Sequence, residues 1–346
     1  MIGAEERSSS IEVAAPAKLN LALLVGPVRP DGFHEIASVM VPVTLADRVV
    51  VERTPGAGLD VVSAVAPGES NLAAKLVREL ESRLDRAFEV RVTIDKRIPT
   101  GGGLGGGSSD AVAALTAIER LFGLDLSAGL RYEIAAAVGS DVPFFLWTGA
   151  QLAMGRGQVL KALELPALHL VVAIPESGLS TAAVYGWRDE DAAPTLREFV
   201  PEARGLAGRA LSAATAADVA ALVANDLEAS VVARRPEVGE LIERLRAAGA
   251  LAAAMTGSGA AVFGVFPSDE AAAAARAALA PSRAWYVTDL QPAAAGRPAA
   301  AQRPRSGAKP AAATKPAAAK KQAAARRKPA APRRASGAGG RGPKTG

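Results

Sequence analysis

The chain has 346 residues and no cysteine, which excludes disulfides, zinc knuckles and a thiol nucleophile. Its two histidines, His34 and His169, leave little scope for a histidine-held metal. The formal charge of +5 is unevenly spread. Fourteen of the 40 basic residues and none of the 35 acidic ones lie beyond residue 290, so the body carries a net −9. No run approaches the roughly 18 uncharged apolar residues of a membrane span. Met1–Ser10 also lacks the basic-then-apolar order of a signal peptide, so the expectation is a cytoplasmic protein with no membrane partner.

In chain order, Ile11 to Val25 reads as an extended apolar segment in which Pro16 marks an edge or a bulge. Lys18 is out of place there: it is either a snorkelling charge at an edge or a buried charge with a partner. Arg29-Pro30-Asp31-Gly32 is a turn by composition, followed by Phe33-His34-Glu35, and Val39 to Val51 reads as strand. The spacing of Leu72, Leu76, Val77, Leu80 and Leu84 predicts a helix over Asn71 to Leu84. A strand at Val90 to Ile94 leads into Pro99-Thr100-Gly101-Gly102-Gly103-Leu104-Gly105-Gly106-Gly107-Ser108-Ser109, and a helix over Asp110 to Phe122 leads out. A further helix is expected at Leu130 to Val138. Asp141, between Gly139 and the apolar Val142-Pro143-Phe144-Phe145, is a turn former or a functional carboxylate.

Thr148 to Gly157 reads as loop and strand and as the crossing between domains, giving domains 9–157 and 158–290 and a tail 291–346. The second half offers a strand at Leu168 to Ile174 and a loop holding Ser180-Thr181 and Tyr185. Helices follow at Ala216 to Val223, Leu227 to Ala233 and Val238 to Ala248. Thr256-Gly257-Ser258-Gly259 is a hairpin turn or a second phosphate-facing loop. Asp269 to Leu279 reads as a helix and Ala284 to Leu290 as a strand. The tail repeats K-P-A-A at Lys309, Lys315 and Lys328 and has almost no large apolar residue, so disorder is expected. Its charge suits weak, salt-dependent contact with nucleic acid or acidic partners.

The glycine run is the most informative stretch. Glycine reaches positive φ and lets bare N–H groups approach a ligand, and a helix N-terminus adds about half a positive charge. Strand, glycine loop and helix start make an anion cradle. No Lys follows the glycines as a P-loop requires. Gly101, Gly103 and Gly106 fit G-x-G-x-x-G, but the acidic residue that should close the next strand is missing, since Glu119 lies in the outgoing helix. A flexible linker is disfavoured by the flanking strand and amphipathic helix. Ser108 and Ser109 at the helix entrance favour phosphate, and a triphosphate with its magnesium fits best.

P-A-K-L-N at 16–20, P-T-G-G-G-L-G-G-G-S-S at 99–109 and T-G-S-G at 256–259 resemble, in order and spacing, the three motifs of the GHMP kinases. These are the galactokinase, homoserine kinase, mevalonate kinase and phosphomevalonate kinase family. D-G-F-H at 31–34, I-D-K-R-I-P at 94–99 and G-S-D-V-P-F at 139–144 are similar to the subgroup acting on diphosphocytidyl-methylerythritol. The resemblance spans residues 10–290. It implies an α+β fold, with a ribosomal protein S5-like N-terminal domain and a ferredoxin-like C-terminal domain. It also implies ATP with Mg2+ and phosphorylation of the 2-hydroxyl of that small-molecule substrate in non-mevalonate isoprenoid synthesis.

The resemblance assigns Lys18 and Asp141 to the acceptor hydroxyl, the loop 99–109 to the triphosphate, and Asn71 and Lys96 to the adenine. It gives Phe33, standing where Tyr is frequent, and His34 to the cytidine end of the acceptor, His34 being otherwise an ordinary turn residue. Asn20 is a candidate acceptor contact, and Tyr185, by its position after Ser180-Thr181, either stacks on the cytosine or is plain packing. No magnesium ligand is assigned. A mevalonate or homoserine type of acceptor is the nearest alternative, and a nucleic-acid role carried by the tail is a more distant one.

Overall fold

A computed structural model describes residues 9–175, 178–191, 195–279 and 285–290, the side chains of 285–290 excepted. The basic tail at 291–346, its expected disorder and any nucleic-acid contact through it lie outside the described residues. Two long strands open the fold: β1 (Ser10–Val28) and β2 (His34–Arg53) pair antiparallel along most of their length. The register slips between Pro16 and Lys18, so the proline marks a bulge. The freed Lys18 N–H donates to the Leu104 carbonyl at 2.9 Å, which ties the first strand to the glycine loop.

β3 (Leu59–Ser63), α1 (Leu72–Leu84) and β4 (Val90–Asp95) follow, with β4 pairing β2 over Arg48–Arg53. α2 (Gly106–Phe122) and α3 (Ala128–Val138) lead to β5 (Gln151–Gly155) and β6 (Val159–Ala162). β5 pairs β2 over Ile36–Met40, so β2 changes neighbour half-way along and the sheet curls. One face of this sheet buries Ala15, Val49, Val51 and Val92 against Leu76 and Leu80 of α1 and Leu115 and Ile118 of α2.

The second sheet begins with β7 (His169–Pro175). α4 (Thr181–Asp191), α5 (Leu196–Ser212), α6 (Ala216–Ala220), the short β8 (Ala224–Asn225), α7 (Glu228–Arg234) and α8 (Pro236–Ala247) come next. β9 (Ala252–Met255), β10 (Val262–Phe266), α9 (Asp269–Ala278) and β11 (Trp285–Leu290) complete it. Its order, β11-β7-β10-β9, is 4-1-3-2 with every pair antiparallel, the ferredoxin-like arrangement of β-α-β-β-α-β. Alternation along β7 splits its residues between two cores. Leu170, Val172 and Ile174 pack with Leu19, Leu21 and Val41 of the first sheet, while Val171 and Ala173 pack with Val238, Leu241 and Leu245 of α8.

Several expectations change. Thr148 to Gly157 is not where the sheets part, because both β5 and β6 stay in the first sheet, and β8 returns to it beside β1. Ser180 to Tyr185 is not a loop. It is the start of α4, held because Val184 and Arg188, one turn apart, are buried. α5 carries no sequence signal strong enough to outweigh its internal Pro201. It forms because Thr195 and Glu198 make a capping box and Phe199, Leu206 and Ala210 bury one stripe. α2 begins four residues before the expected Asp110, taking in Gly106 and Gly107 despite a cost of roughly 0.5–1 kcal/mol per interior glycine. Among the described residues no helix is long and apolar enough to cross a membrane.

Candidate active site

Both glycine stretches face one cavity of about 370 Å³. Gly101, Gly103 and Gly105 alternate through φ of +73, +74 and +71°, a zigzag that L side chains resist. A Cβ on Gly103 would sit 2.7 Å from the Thr256 carbonyl, and one on Gly101 would sit 2.8 Å from Gly178. The first loop therefore packs backbone to backbone against the second, whose Gly257 and Gly259 also have positive φ. Thr256-Gly257-Ser258-Gly259 lies in the hairpin connection from β9 to β10, and Gly257, Ser258 and Gly259 of it also line the cavity.

α2 starts at this cavity with Gly105 at its N-cap and no side-chain cap. α1, α3, α5, α6 and α9 are each capped by an Asn, Ser or Thr side chain. α7 and α8 also lack such a cap, but the first residues of α2, Gly106 to Ser108, line the cavity, where an anion can meet their N–H groups.

Lys18 is buried, at 3% exposure, yet reaches the cavity wall. Its Nζ donates to Asn20 Oδ1 at 2.5 Å and lies 3.5 Å from Asp141 Oδ2, which is itself half exposed to the cavity side. Asn20 is fixed in turn: its N–H donates to Thr256 Oγ1 at 2.7 Å and its Nδ2 to Ser38 Oγ at 2.7 Å. A charged Lys in an apolar strand is tolerable because a carboxylate and an amide oxygen satisfy it. Tyr185, on the same wall, has its phenol pKa raised by burial and then by the charge of Asp141, so it stays protonated.

Lys96 lines the cavity with its Nζ 3.1 Å from the place a Cβ on Gly106 would take. It is held between Asp47 and Asp110. Burial alone would lower its pKa, but the hydrogen bonds and charges of Asp110 and Asp47 reverse the sign and raise it. Burial pushes Asp110 the other way, up to about 7, against the pull of Lys96.

Of the residues singled out from sequence, the structure brings Lys18, Asn20, Lys96, Pro99–Ser108, Asp141, Tyr185, Gly257, Ser258 and Gly259 to the cavity wall. Five others stand behind or beside it. Asn71 is occupied as the N-cap of α1, accepting from Ala73 N–H and donating to the Ala66 carbonyl, and its neighbour Leu72 lines the wall instead. Ser109 is buried inside α2, and Thr256 is spent on Asn20. Phe33 is exposed with the Arg156 guanidinium 5.0 Å over its ring. His34 stacks at 4.9 Å on Tyr185, and its Nε2 lies 2.9 Å from Asp189 Oδ1.

Sequence reasoning missed Asp47, Asp189 and Asn225, whose Nδ2 donates to the Met255 and Gly257 carbonyls and shapes the second loop. Asp47 carried the same signal as Lys18, a charge inside an apolar run. Among the described residues no group of three or more His, Asp or Glu is placed to hold a metal.

Residues 71–149 match the GHMP kinases N terminal domain and residues 204–283 the GHMP kinases C terminal domain. A 4-diphosphocytidyl-2-C-methyl-D-erythritol kinase of Anaeromyxobacter dehalogenans is 42% identical over 276 residues, covering 77% of this chain and 83% of that one. The chain belongs to the 4-diphosphocytidyl-2-C-methyl-D-erythritol kinase family of the GHMP kinases. A crystal structure of a 4-(cytidine 5'-diphospho)-2C-methyl-D-erythritol kinase superposes with a TM-score of 0.66 at 33% identity, covering 81% of this chain and 98% of the other. A homoserine kinase from Cytophaga hutchinsonii reaches the same TM-score at 18% identity, over 84% and 98%, and shares the fold alone. Backbone shape is therefore common to these kinases, and the membership rests on sequence.

Proposed function

We propose that this chain transfers the γ-phosphoryl group of ATP to the 2-hydroxyl of 4-diphosphocytidyl-2-C-methyl-D-erythritol, with Asp141 as general base and Lys18 as its electrostatic partner. The observation that carries the reading is the buried Lys18 ammonium, 3.5 Å from Asp141, on a cavity whose wall also holds the uncapped start of α2. Backbone N–H groups of 101–108 and the dipole of α2 receive the phosphates, with Lys96, paired to Asp47 and Asp110, beside the first turn.

Phosphoryl transfer asks mainly for positioning and charge neutralisation. The acceptor hydroxyl gives its proton to the Asp141 carboxylate as its oxygen bonds to the γ-phosphorus, and the bond to the β-phosphate oxygen breaks to release ADP. Lys18 holds the Asp141 carboxylate in place and offsets negative charge developing between donor and acceptor. Magnesium would be held mainly by the phosphate oxygens, with the Ser108 hydroxyl on the cavity wall as a protein ligand, and would supply charge neutralisation. At the other end of the acceptor, Tyr185 and His34 meet the cytidine, with Asn20 near the methylerythritol. Phe33 keeps an aromatic face there but offers no hydroxyl.

ATP turnover with diphosphocytidyl-methylerythritol, mevalonate and homoserine tests the reading. Turnover with the first alone is expected. Turnover with either of the others instead moves the substrate, and turnover with none removes the kinase reading.

A further inference from the structure

The glycine loop contains almost no side chain that could hold it in shape, yet three of its residues sit at φ near +70°. What closes it lies underneath. Asp47, on β2 just beyond the last residue paired with β4, is wholly buried. Its Oδ1 accepts the N–H groups of Arg97 at 2.5 Å and Ile98 at 2.8 Å, and its Oδ2 accepts from the Lys96 ammonium. One carboxylate therefore grips three consecutive residues where the chain leaves β4 for the loop.

The Lys96 ammonium then donates to Asp110 Oδ2 at 2.8 Å, fourteen residues further on, in the helix that leaves the loop. Of its three N–H donors, these two contacts use two, and the ammonium also borders the cavity beside Gly106. Two buried carboxylates against one ammonium is a poor arrangement for stability alone, because desolvating charges offsets most of what pairing returns. The Oδ1 of Asp110 is buried with no hydrogen-bond partner, which adds to that cost. Buried ion pairs of this kind are best attested as devices that fix register.

We propose that Asp47, Lys96 and Asp110 form a staple across the base of the glycine loop, and that Asp47 and Asp110 are positioning residues for the phosphate donor. The staple joins the residue entering the loop to the helix leaving it, and Asp47 anchors both to the sheet. Closing the base restricts the loop's backbone freedom before the nucleotide arrives, which lowers the ordering cost of binding. The kinetic part of this inference rests on the proposed role of the loop as the ATP cradle; the structural part does not.

The test uses the full chain carrying Asp110→Asn, which keeps the Lys96–Asp47 pair and removes the excess buried charge, so the fold is expected to survive. Amide hydrogen exchange is read over residues 97–109 and over the second sheet, together with KM for ATP, KM for the acceptor and kcat. The staple predicts exchange at least tenfold faster across 97–109 with the second sheet unchanged. It also predicts KM for ATP raised about five- to twentyfold, while acceptor KM and kcat stay within about twofold. Asp47→Asn should move the same quantities further. Unchanged exchange at 97–109, or a uniform rise over the whole chain, overturns the staple. Faster loop exchange with an unchanged KM for ATP overturns the positioning role. If the wild-type chain turns over no ATP, the exchange measurement still decides for or against the staple, separately from the functional reading.

Discussion

The proposed donor and acceptor ends of the cavity are built on different terms. At the proposed donor end the groups are backbone: glycines at positive φ, two of which, Gly101 and Gly103, lie where an added Cβ would come within 2.7–2.8 Å of other backbone, leading into a helix with no side-chain cap. At the proposed acceptor end they are side chains on separate elements, Phe33 and His34 at the start of β2, Tyr185 and Asp189 on α4, held by one ring contact and one hydrogen bond near the surface. A backbone cradle admits one geometry and suits a ligand shared by a whole superfamily. A side-chain cluster can be exchanged piece by piece, which suits a substrate that differs between its members.

Asp141, between the two ends, gives the largest expected effect. Asp141→Asn should lower kcat by about 10²–10⁴, or roughly 3–5 kcal/mol of barrier, with KM for ATP within a few-fold. Steady-state kinetics at saturating acceptor checks this, and an unchanged kcat removes Asp141 from the chemistry. Next, Gly103→Ala should damage the donor end alone. The new methyl group meets the Thr256 carbonyl at 2.7 Å in a left-handed conformation costing about 1–2 kcal/mol. KM for ATP should rise about tenfold, with acceptor KM little changed. Equal rises in both constants would mean that the two ends are not separable.

Asp189→Asn should be milder and fall on the other side. It loosens the partner that orients His34, raising acceptor KM roughly three- to tenfold, as for an exposed charged hydrogen bond, with KM for ATP unmoved. The smallest effect is a control. Gly208 in α5 has open space around its missing Cβ and an ordinary φ. Gly208→Ala should therefore stabilise the chain by about 0.5–1 kcal/mol in thermal melts, with kinetics unaltered.

The same contrast explains what was legible in the sequence. Glycines in a strand–loop–helix context announce their conformation locally, and Lys18 announces itself by sitting where an uncompensated charge is too costly. Its partner Asp141 is 123 positions away and becomes convincing only beside it. Asp189 carries no local mark, because its role exists only once α4 is folded against His34. Asn71 is ambiguous in the sequence because a cap and a ligand contact call for the same side chain at the same place, and in the structure it caps α1. α5 was hidden by Pro201, whose local penalty is outweighed by burial of Phe199, Leu206 and Ala210 that no local pattern reveals.

The most direct measurement is phosphorus NMR of the reaction of ATP with diphosphocytidyl-methylerythritol. The account predicts one new phosphomonoester resonance on the tertiary 2-position carbon, growing in step with ADP. ADP formed with free phosphate and no new ester would contradict it, showing a cavity that binds and hydrolyses the nucleotide without presenting the acceptor hydroxyl to it.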